Sequence, residues 1–89
     1  MDCVTTQKFW KAFAKLPTEI QAIARKNLQL WQQDAAYPSL NFKKIQLSPP
    51  IYSLRIGLKW RALGVREKTT IIWFWIGSHE EYNSLISRL

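Results

Sequence analysis

The order of elements along this chain predicts an α+β fold. Apolar residues at helical spacing come first, β-type segments follow as a block, and a capped helix closes the chain. The helical part runs from Thr6 to Trp31, the β-type segments fill 42 to 76, and Ser78 opens the last helix. The expected architecture is an N-terminal helical hairpin packed on a small, mostly antiparallel twisted sheet of about four strands, with a short C-terminal helix. At 89 residues the chain is read as a single domain spanning 1–89, near the lower size limit for a core that holds without staples.

Each element has a local reason. Val4 and Thr5 are β-prone, enough for a short first strand. From Thr6, an N-cap residue type, Phe9, Phe13 and Leu16 recur on one helical face, while Lys8, Lys11 and Lys15 lie elsewhere around the wheel. Pro17 ends that helix and suits the first turn of a second, whose face is Ile20, Ala24, Leu28 and Trp31. Asp34 to Asn41 reads as a loop. Strands are expected over Phe42–Leu47, Ile51–Ile56, Lys59–Val65 and Thr69–Ile76, with Ser48-Pro49-Pro50 separating the first two. In the last, Ile71, Trp73 and Trp75 alternate with Ile72, Phe74 and Ile76. No polar face remains, so this strand is expected to be covered on both sides. Ser78 and Glu81 have capping-box spacing ahead of Tyr82, Leu85, Ile86 and Leu89.

Charge narrows the function classes. The net charge is +7, and Phe42–Lys68 alone carries +6, seven Lys/Arg against Glu67. With a pI near 9.9 the expected company is acidic, either nucleic acid or a protein rich in Asp and Glu. The longest apolar run, Ile71–Ile76, is too short to cross a bilayer, and no secretory signal pattern opens the chain. Cys3 is the only cysteine, so an intramolecular disulfide is excluded, and the count fits a reducing, cytoplasmic setting. No Cys/His cluster with zinc spacing is present, and no metal or organic cofactor is implied.

Register supplies the sharpest expectation. A three-residue loop, Gly57 to Lys59, would pair Arg55 with Arg61 and Ile56 with Trp60. Tyr52, Leu54, Ile56, Trp60 and Ala62 then share an apolar face, and Ser53, Arg55 and Arg61 share the other. Like charges directly opposite one another cost stability unless an anion lies between them, and guanidinium forks suit phosphate. The plainer alternative is that each arginine pairs with a carboxylate or extends into water. His79 falls at the first helical position after Ser78. It is read either as a surface histidine or as a proton donor and acceptor near neutrality. Tyr82, three residues on, fits a core position or one aimed at the same site. Lys43, Lys44, Lys59 and Arg66 would hold a nucleic-acid backbone. Most aromatics are assigned to the core rather than to base stacking.

These residues resemble a known family. Leu16-Pro17, Pro38-Ser39-Leu40 with Phe42-Lys43, Tyr52 to Gly57, Trp60 to Leu63 and Trp73 to Tyr82 follow, in order, the pattern of the RelE/ParE superfamily of bacterial type II toxin–antitoxin toxins. The resemblance covers nearly the whole chain. It implies the fold described above and a cognate acidic antitoxin as partner. RelE-like members are metal-independent endoribonucleases that cut mRNA, commonly on the ribosome. The resemblance therefore implies Arg55 and Arg61 at the scissile phosphate, with His79 and Tyr82 completing a catalytic set. ParE-like members poison DNA gyrase instead, which is the alternative, beside an inactive member that only binds antitoxin. Ser53 stands where some RelE members carry lysine, and Tyr82 is offset from the tyrosine of several members.

Overall fold

A computed structural model describes all 89 residues. Five strands form one sheet in the order β1-β5-β4-β3-β2. The strands are β1 (Asp2–Thr5), β2 (Lys43–Gln46), β3 (Ile51–Gly57), β4 (Trp60–Glu67) and β5 (Thr70–Ser78). The helices are α1 (Gln7–Phe13), α2 (Thr18–Gln33) and α3 (His79–Ile86), with a 3₁₀ turn at Pro38–Leu40. The sheet thus has five strands rather than about four. β1 pairs in parallel with β5 along the edge, while β2 to β5 form an antiparallel run.

Both long helical segments begin where their caps dictate. Thr6 accepts a hydrogen bond from the Phe9 amide at the start of α1, and Pro17 precedes α2. These helices cover one face of the sheet. Phe9, Phe13, Ala24 and Trp31 meet Leu54, Ile56, Ala62, Ile71, Trp73 and Ile76 there in the main core. Trp31 and Trp73 cross edge to face at 5.2 Å, both fully buried. Each such ring removes on the order of 200 Å² from water, worth roughly 5 kcal/mol gross. Their indole N–H groups find no hydrogen-bond partner, a cost of about 1–3 kcal/mol each that this burial offsets. The opposite face is covered only in part, by α3, where Tyr82 packs with Ile51 and Leu63.

Besides an irregularity in β2 between Lys44 and Gln46, two bulges modify the expected alternation. In β5 the register steps from Leu63↔Trp75 to Gly64↔Trp73, so Phe74 is an extra residue. Trp73 stays with the main core, but Trp75 and Phe74 turn toward α3 and Ile76 returns to the main core. Strict alternation had put Trp73 and Trp75 together. Gly64 explains why Trp73 fits opposite it. A Cβ there would lie 2.5 Å from Ile71 Cγ2 and 2.8 Å from Trp73 Cε3. The second bulge sits at Ile56, between Arg55↔Arg61 and Gly57↔Trp60. The connection is therefore a two-residue turn, Leu58–Lys59, and Ile56 does not pair with Trp60 as the three-residue loop required. The extra residue restores parity, so the arginines still face each other. The Ile56 carbonyl accepts from the Asn27 side-chain amide of α2.

Candidate active site

Side chains on the α3 face of the sheet fall into rows. Lys43, Ser53, Leu63 and Trp75 form one row, and Arg55, Arg61 and Gly77 form the next. In the second row two guanidinium groups stand on neighbouring strands with a glycine beyond them. Arg61 donates from Nη1 to the carbonyls of Gly57 (3.1 Å) and Trp60 (2.8 Å). Those bonds orient the fork and leave Nε and Nη2 for a ligand. Burial holds the Arg61 pKa below its usual value, with the neighbouring Arg55 charge adding to the effect and Tyr82 opposing it. Arg61 remains cationic at any working pH. The pair is therefore a site where positive charge is confined and an anion would relieve repulsion.

β5 and α3 bring the other two candidates to this end of the sheet. Ser78 pairs with Trp60 and caps α3, accepting from the Glu81 amide while Glu81 Oε1 accepts from Ser78. The His79 amide donates to the Lys59 carbonyl at 2.7 Å, which ties the start of α3 to the β3–β4 turn. His79 is half-buried, and its ring lies 6.0 Å from that of Tyr82. Asn83 Nδ2 is 3.3 Å from His79 Nδ1. The Asn83 amide can donate to Nδ1 when that ring nitrogen is unprotonated. Tyr82 is only 6% exposed and packs with Ile51 and Leu63, so it serves the core. A depression of about 340 Å³ beside them is lined by Leu58, Lys59, Trp60, Ser78, His79 and Glu80.

The four residues expected to hold a nucleic-acid backbone are not brought together. Lys43 shares the arginine face through its pairing with Ser53, and Lys59 stands at the tip of the turn beside His79. Lys44 and Arg66 belong to the opposite face, where both flank Tyr52. Lys44 Nζ is 5.8 Å and Arg66 Cζ 5.9 Å from its ring, and Arg66 Nη1 donates to its hydroxyl at 3.3 Å. The Arg66 hydrogen bond lowers the Tyr52 pKa, with the Lys44 and Arg66 charges acting in the same direction. The reason for the division is strand parity, which sends Lys43 and Lys44 to opposite faces. Asn83 was not singled out in the sequence. Its i+4 spacing from His79 is the signal that would have found it.

Solved structures share this architecture. One chain of the RelB–RelE antitoxin–toxin complex from Methanococcus jannaschii superposes with a TM-score of 0.73 at 18% identity, covering 92% of this chain and 96% of that one. A chain of the toxin–antitoxin complex RelBE2 from Mycobacterium tuberculosis gives 0.63 at 18% identity, over 86% and 95% of the two chains. A copper-bound mutant toxin from Helicobacter pylori gives 0.62 at 15% identity, over 91% and 97%. Among curated protein sequences none matches. The sequence profile of the ParE-like toxin domain matches residues 18–84, from the start of α2 to the middle of α3. The chain belongs to that family, as a toxin domain of the RelE/ParE superfamily.

Proposed function

We propose that this toxin domain is an endoribonuclease that cleaves mRNA at the ribosome, restrained by a cognate acidic antitoxin. The observation that carries the reading is the cross-strand pair Arg55↔Arg61, with Tyr82 close to Arg61 and the His79 ring 6.0 Å from that of Tyr82. In the proposed reaction the substrate's 2′-oxygen attacks the adjacent phosphorus as its proton passes to a base. The P–O5′ bond breaks, and the leaving 5′-oxygen takes a proton from an acid. The products are a 2′,3′-cyclic phosphate and a free 5′-hydroxyl. Arg55 and Arg61 stabilise the added charge on the pentavalent phosphorane, where fixed donors act most strongly. His79 serves as the general acid or base, and Tyr82 fixes the Arg61 side of the site.

The test is incubation with translating ribosomes. Wild type should generate mRNA fragments ending in cyclic phosphate, and Arg61→Ala or His79→Ala should lower that rate by about 10²–10³-fold. Intact mRNA in the presence of wild type would overturn the reading. A second reading is favoured by the description of the matched family, ParE-like toxin domain. It is a poison of DNA gyrase with no chemistry of its own. Inhibited supercoiling with intact mRNA would select it, and failure of both assays with tight antitoxin binding would indicate an inactive member.

A further inference from the structure

The largest cavity of the molecule lies outside the arginine row. It is a groove of about 380 Å³ between α1 and the junction of β5 with α3. Lys8, Lys11 and Lys15 line one wall, and Trp60 and Trp75 line the other, neither indole fully buried. Glu81 is the single carboxylate in the groove, and it already accepts from the Ser78 hydroxyl at 3.0 Å and the Ser78 amide at 3.2 Å. The groove therefore presents three uncommitted ammonium groups. It shares two lining residues, Trp60 and Ser78, with the depression that holds Lys59 and His79.

We infer that the α1 lysine groove is a second nucleic-acid subsite, a track for single-stranded RNA leaving the His79 depression. The identity of the strand rests on the ribonuclease reading. Lys8 and Lys11 are offset by about 4.5 Å along α1 and Lys15 follows in the turn just beyond it, so the three ammonium groups lie in series along the wall, at a spacing of the order of one nucleotide step. Ammonium groups on one wall and flat indole faces on the other are the combination that grips single strands, charge tracking the backbone and aromatics accepting bases. An acidic peptide would use the lysines but would leave the indoles unemployed. The turn tip supports a path between the two hollows. Leu58 is 75% exposed and stands at the rim of the His79 depression, where an exposed aliphatic side chain can meet a base.

The test uses the full chain and a fluorescent single-stranded oligoribonucleotide of about 12 residues, 2′-O-methylated throughout so that it cannot be cut. The triple variant Lys8→Gln/Lys11→Gln/Lys15→Gln should bind roughly tenfold more weakly near 0.1 M salt. Its plot of log affinity against log salt should be shallower by about 2, the release expected for three single-strand phosphate contacts. The triple Lys→Arg variant should retain wild-type affinity and slope. Unchanged affinity and slope in the glutamine variant would overturn the inference. So would a loss confined to a polyglutamate peptide with oligonucleotide binding intact, which would assign the groove to an acidic protein. Because the readout is binding, it separates from the cleavage assay. A wild type that cuts nothing but shows this lysine dependence would sink the ribonuclease reading alone.

Discussion

The two faces of the sheet have the same strands but different covers. On one face α1 and α2 bring four large or closely packed side chains onto β3, β4 and β5, and twelve residues there form a continuous buried cluster. On the other, the eight-residue α3 covers the Ile51–Leu63 region with Tyr82 as its one buried residue. The covered face keeps its charges, Lys44 and Arg66, at the rim beside Tyr52, and inside it even a methyl group at Gly64 would collide. The partly covered face keeps Arg55 and Arg61 side by side at the price of their repulsion. The lesson is a division of labour: stability resides where two helices together seal the sheet, and an anion site is possible where a single helix leaves part of it open.

That contrast can be broken most severely from the sealed side. Trp73→Ala should cost about 3–5 kcal/mol, enough to unfold much of the population of so small a domain in a denaturant titration. A matched Arg61→Ala should shift the midpoint far less. Gly64→Ala is the next largest effect. Its Cβ meets Ile71 and Trp73 at distances no side chain tolerates, and a loss of about 1–3 kcal/mol in the same titration is expected. On the open side the sign should reverse. Arg55→Ala removes a like-charge neighbour and should stabilise the fold by about 0.2–1 kcal/mol, read as a higher melting temperature. Sulfate should stabilise wild type more than this variant.

The smallest effect sharpens the comparison at Tyr52, on the rim of the sealed face. Its phenol is lowered chiefly by the Arg66 hydrogen bond, so it should ionise earlier than an ordinary phenol as pH rises through the alkaline range. Arg66→Ala should move that step upward in an ultraviolet titration, and Tyr52→Phe should delete it. A depressed acid contributes stability only above its unfolded pKa and loses it as pH falls through the folded one. Neither substitution should therefore change the pH dependence of stability near neutrality.

Much of the fold could be read along the chain because its signals are local. Thr6, Pro17 and the Ser78–Glu81 box mark helix starts by direct side-chain or ring chemistry. The apolar stripe Phe9, Phe13, Ala24, Trp31 marks the faces that end up buried. The pairing of Arg55 with Arg61 was legible because side-chain parity left one register with an apolar face. The turn that realises it was not. Leu58–Lys59 with a bulge at Ile56, and Gly57–Lys59 without one, give the same parity, and in the observed turn the Ile56 carbonyl is satisfied by Asn27 from another element.

The sequence by itself settled the class of fold, the helix starts and the concentration of positive charge between Phe42 and Lys68, since periodicity, caps and charge are properties of neighbouring residues. Only the tertiary structure decided which charges act together. Lys43 and Lys44 are adjacent in the chain yet lie on opposite faces of the sheet. Lys8, Lys11 and Lys15, far from the basic segment in sequence, share a groove with Trp60 and Trp75. The physical reason is that strand parity, the bulge at Phe74 and the crossing of α1 over the end of β5 are set by packing between distant segments. No local pattern encodes them.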